Sequence, residues 1–133
     1  MTILMSKEEV KVKINSINEY LGECSWMEFE LCKMNGGQVV LSGSIDLSSG
    51  EYAIDIEFEQ PYFVSSLFFW HADTSNTFIE LADEKEIFEL NSTYKIEQGC
   101  YIFKVSVEDF DNPPIMIVAK NINYKIRDEN PFK

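Results

Sequence analysis

At residues 51–59 the sequence reads EYAIDIEFE, and the reading of this segment decides the fold. Tyr52, Ile54, Ile56 and Phe58 fall on one side of an extended chain, while Glu51, Asp55, Glu57 and Glu59 fall on the other. That is the period of a strand with one face buried and one in water. Carboxylates spaced about 7 Å apart along a strand repel one another unless they are well solvated or meet positive charge. The segment therefore predicts both a half-buried strand and a stripe able to receive a cationic surface.

The same period extends upstream. In SWMEFELCK (25–33), Met27, Phe29 and Leu31 alternate with Glu28 and Glu30, and Trp26 falls on the acidic side. Asn35-Gly36-Gly37 predicts a hairpin into QVVLSGSID (38–46). Downstream, Gln60-Pro61 is expected to end the strand, because proline cannot donate to a ladder. YFVSSLFFW (62–70) is apolar on both faces and reads as a central, doubly covered strand, with HADTSNT (71–77) as the following turn. FIELA (78–82), IFEL (87–90) and TYKIE (93–97) read as short strands. YIFKVSVE (101–108) places Tyr101, Phe103, Val105 and Val107 on one face. IMIVAKNINYKI (115–126) reads as a last long strand, and residues 127–133 as a loose tail.

Only the N-terminus is helical in pattern. Ser6-Lys7-Glu8-Glu9 is a capping box, Val10, Ile14, Ile17 and Leu21 share one helix face, and Gly22 offers a left-handed stop. The helix is predicted over about residues 7–21. About eight strands over residues 24–126, joined by short connections, must pair antiparallel. The expected fold is mainly β: an antiparallel β-sandwich or bent barrel with one N-terminal amphipathic helix, all within a single domain, 1–133.

Charge restricts the partners. The chain has 23 acidic against 11 basic residues, a net of −12, and residues 41–112 hold 15 of the acids but only 3 of the bases. Such a field repels nucleic acid and anionic membranes and attracts basic protein surfaces. Cys24, Cys32 and Cys100 are odd in number and lack CxxC spacing, so neither a disulfide framework nor a zinc ribbon is expected. No signal-peptide pattern opens the sequence, which predicts a cytoplasmic protein.

Residues able to do chemistry are few. His71, the one histidine, stands near Asp73 and Ser75, but triad members converge from separate elements rather than from one turn. Asp109, Asp111 and Asn112 imitate the start of a calcium loop, yet Pro114 and Lys120 occupy its required glycine and glutamate positions. No cofactor motif is present. The expectation is a non-enzymatic acidic protein of inhibitor or immunity type that occludes a basic partner such as a nuclease toxin. Glu51, Asp55, Glu57 and Glu59 would steer, and Trp26 would anchor. The alternatives are a small-ligand-binding β-barrel lined by Tyr62, Phe68, Phe69 and Trp70, and a hydrolase centred on His71.

Overall fold

The computed structural model describes residues 5–111 and 114–132. Helix α1 (Lys7–Cys24) starts as the sequence predicts: Ser6 Oγ accepts the Glu9 N–H, and Glu9 returns a carboxylate to the Ser6 N–H. It does not stop at Gly22. The helix continues to Cys24 and closes on Ser25, which adopts φ 65° and donates its N–H to the Leu21 carbonyl. Burying Leu21 and Cys24 outweighs the roughly 1 kcal/mol that an internal glycine costs a helix.

Seven strands follow: β1 (Met27–Met34), β2 (Gln38–Ser44), β3 (Ile54–Ser65), β4 (Phe69–Ala72), β5 (Ile79–Leu81), β6 (Tyr101–Val105) and β7 (Ile115–Ile126). They form one antiparallel sheet in the order β4-β1-β2-β3-β7-β6-β5, curled into a half-barrel. Among the described residues the architecture is thus one bent sheet of seven strands rather than about eight, nearer the bent barrel than the sandwich of the two expected forms. A second helix, α2 (Glu84–Tyr94), occupies the stretch that pattern reading assigned to two short strands and the turns between them. Asp83 and Glu86 form its capping box, so local polar chemistry starts a helix where apolar alternation suggested none.

Each helix takes its own side of the sheet. The inner face buries Phe29, Leu41, Ile54, Ile56, Phe58, Phe103 and Ile117 against Val10, Ile14, Ile17 and Leu21 of α1. Ile54, Ile56 and Phe58 point inward as the 51–59 alternation predicts, and so do Tyr101, Phe103, Val105 and Val107. On the outer face a smaller cluster of Ala82, Ile102 and Val118 lies beside Phe63, Leu90 and Met116, with Leu90 supplied by α2.

Pro61 does not end β3. The strand runs on to Ser65, because Pro61 falls where β2 has already ended and where the register against β7 slips between Pro61 and Phe63. Bulges of this kind tolerate a missing N–H. Gln60, at φ 53°, makes the bend. The chain then breaks, and β4 returns as an edge strand paired to β1 alone. The residues read as one central strand are therefore the end of β3 and a separate edge. The tail is tied down where it leaves β7. The Arg127 and Asp128 N–H groups donate to the Ala53 carbonyl, and the Tyr20 hydroxyl donates to the Asp128 carbonyl at 2.5 Å.

At Gly43 the bare backbone leaves room for side chains of β1 to pack close. A Cβ built there would stand 2.7 Å from Met27 Sδ and 2.7 Å from Phe29 Cε1, well inside van der Waals contact. Gly43→Ala is expected to lower the unfolding free energy in urea by about 1–3 kcal/mol through overpacking. Gly36→Ala, with no atom within 4 Å of the new methyl, should stay within about 0.5 kcal/mol of wild type.

Candidate binding face

The outer face of β4, β1, β2 and β3 lies opposite α1, while α2 packs beyond it over β6, β7 and the end of β3. The ladder sets its side chains in rows. Phe69 stands beside Glu30, Ser42, Asp55 and Lys125, and His71 stands beside Glu28 and Ser44. Glu57 lies between Val40 and Asn123, and Glu59 between Gln38 and Asn121.

The four carboxylates expected to act together occupy different environments. Asp55 is buried. Arg127 grips it through Nη2 at 2.5 Å and Nε at 2.7 Å, and Ser42 Oγ donates to its other oxygen at 2.8 Å. It is a structural anion that fastens the tail to the sheet. Glu51 precedes β3 in an exposed loop, where its carbonyl accepts the Ser44 hydroxyl. Glu57 and Glu59 remain on the outer face, half-buried, and no ion pair reaches either among the described residues. Glu28 and Glu30, not singled out from the sequence, lie on the same face. The Tyr52 hydroxyl donates to Glu30, and the Leu47 N–H donates to Glu28 Oε1 at 3.0 Å.

His71 takes its acid from another strand. Its Nε2 lies 3.2 Å from Glu28 Oε2, whereas Asp73 accepts the Ser75 hydroxyl and N–H within its own turn. Asp73 and Ser75 are thus committed to each other. Among the described residues no hydroxyl or thiol hydrogen-bonds to His71. Trp26 packs against it at a tilt of 58° with ring centroids 5.3 Å apart, and donates Nε1–H to Glu108 Oε2 at 3.2 Å. The Glu108 N–H donates to the His71 carbonyl at 2.8 Å. Trp26, His71, Glu28 and Glu108 form a cluster that ties the loop after β6 to the edge strand β4. It explains why a tryptophan stands on the acidic side.

Two aromatic residues are open to solvent at that edge. Phe68 is 78% exposed and Phe69 71%, although the sequence suggested burial or a barrel mouth. Alternation could not reveal this, because an edge strand and a central strand carry the same period. The inner side of the half-barrel is filled by Phe29, Phe58, Phe78 and Phe103. Asp109, at φ 68°, and Asp111 are exposed, and Asn112 lies outside the described residues. No cluster of three His, Cys, Asp or Glu able to hold a metal occurs among the described residues. Among them, too, no helix is long and apolar enough to cross a membrane. Searches of family models, curated proteins and solved structures find no match to this chain.

Arg127→Met leaves the buried Asp55 carboxylate without its countercharge and should destabilise the protein by about 2 kcal/mol in urea titration. Glu57→Gln and Glu59→Gln remove charges with no such partner and should stay within about 0.5 kcal/mol of wild type.

Proposed function

We propose that this is a non-enzymatic, cytoplasmic binding protein of inhibitor or immunity type, whose open sheet face covers a basic surface such as the substrate groove of a nuclease toxin. One observation carries the reading: the exposed Phe69 of the edge strand stands beside Glu30 of β1, on the same uncovered face that carries Glu57 and Glu59 of β3. A few buried anchors, often aromatic, supply most of the binding energy at protein interfaces, and surrounding charges steer encounter and select the partner. Phe69, with Phe68 beside it, is the anchor. Glu57 and Glu59 are the steering charges, to which Glu51 adds from the loop. Asp55 contributes through Arg127 as part of the scaffold, and Trp26 holds the edge strand in place rather than meeting the partner directly.

A basic protein retained by the immobilised chain from host cytoplasm at low salt, then purified, provides the measurement. Phe69→Ala should weaken its binding about tenfold or more, and doubling the salt should weaken wild type measurably. Glu57→Lys with Glu59→Lys should slow association and flatten the salt dependence, while Glu84→Lys on α2 should change neither. Affinity indifferent to salt and to Phe69→Ala would rule the reading out.

A further inference from the structure

A cleft of about 540 Å3 opens between α2 and the outer side of β5, β6 and β7, at the other end of the sheet from the proposed docking face. Its volume lies within the range of small-molecule sites. Its accessible apolar lining is Met116 of β7 with Leu90 and Tyr94 of α2, and the core residues Phe78, Val105 and Ile115 are closed off behind it. Four carboxylates, Glu80, Glu86, Glu89 and Asp111, surround a single ammonium, Lys104. Lys104 Nζ lies 2.7 Å and 2.9 Å from the two Glu86 oxygens and 3.3 Å from Glu80. The Glu86 hydrogen bond holds it above the usual lysine range, so it stays charged. Glu89 and Asp111 have no ion-pair partner among the described residues. The Ser106 hydroxyl in the cleft wall is closed to solvent and has no hydrogen-bond partner among them either.

We infer that this cleft binds a small organic amine, with its apolar stem over Met116 and Tyr94 and its ammonium among the acids that Lys104 leaves unmatched. The chemistry follows from the lining. Met116, Leu90 and Tyr94 favour a hydrocarbon body, an excess of three negative charges over Lys104 disfavours anions, and a carboxylate without an internal partner is open to a charge-assisted hydrogen bond. Lys104 already shows how an alkylammonium sits between two of the carboxylates. The site requires nothing of the docking face, so either can fail alone.

The probe is phenethylammonium titrated into the full chain while the Met116 and Ile115 methyl resonances are followed by NMR. Saturable shifts with a dissociation constant of about 1 mM or tighter are expected. Neutral 2-phenylethanol should bind about tenfold more weakly, and phenylacetate not at all. Glu89→Gln should weaken the amine severalfold, whereas Lys104→Met should tighten it by releasing Glu86 and Glu80 to the ligand. Both variants should keep the wild-type spectrum away from the cleft. Absent shifts up to about 10 mM, equal response to amine and alcohol, or weaker amine binding in Lys104→Met would overturn the assignment.

Discussion

A single helix has to cover the apolar face of a seven-stranded sheet, and most of the remaining structure follows from that constraint. A flat sheet of this width would leave its outer strands unburied on the helix side. Curling brings Phe29 of β1 and Phe78, beside β5, into ring contact at 4.4 Å, although their strands lie near opposite ends of the sheet order. The bend is built from local irregularities: the register shift between Leu31 and Lys33, the shift at Pro61 and Phe63, and the bare Gly43 that lets Met27 and Phe29 close in. Bulges increase local twist and bend a strand, so each irregularity adds curvature where the core requires it.

Curling short of closure leaves two edges, and exposed edges recruit other strands. Both are occupied by the protein itself. At β5 the Asn18 side chain of α1 accepts the Phe78 and Ile79 N–H groups and donates to the Ile79 carbonyl, imitating a neighbouring strand. At β4 the Glu108 N–H takes the His71 carbonyl, and Trp26 reinforces that contact from the side. His71 is therefore best understood as part of an edge closure. Its imidazole pairs with Glu28, its backbone receives Glu108, and its ring carries Trp26.

What the sequence made legible was local. The capping box at Ser6, the phase of residues 54–59 and the bounds of β7 depend on near neighbours, and each matches the structure. The second helix was legible too, in Asp83 and Glu86, but Ile87 and Leu90 lack the long apolar stripe that announces a helix. α2 buries no residue fully and is held by its cap, by Leu90, by Tyr94 against Phe63 and by the Glu86–Lys104 pair, so hydrophobic periodicity had little to register. Other features were out of reach because they join distant residues. Nothing near Asp55 in the chain foretells Arg127, 72 positions away. Nor does the run from Tyr62 to Trp70 disclose that one strand ends within it and an edge begins. Exposure of Phe68 and Phe69 follows from that placement alone.

The acidic excess of residues 41–112 likewise becomes several environments once folded. Like charges crowded on one face raise the free energy of the compact state, and dispersal relieves it. Asp55 is neutralised inside the sheet, Asp46 and Asp73 accept hydrogen bonds from neighbouring serines, and Asp83 and Glu86 cap a helix. Carboxylates fixed in this way serve the fold and have little capacity left for a partner. Those with no such bond include Glu57 and Glu59 on the open face, Glu89 and Asp111 around the cleft beside α2, and the exposed Glu51, Glu84 and Asp109. A carboxylate without an internal partner keeps its full interaction for a cation arriving from outside, which one fixed within the fold does not.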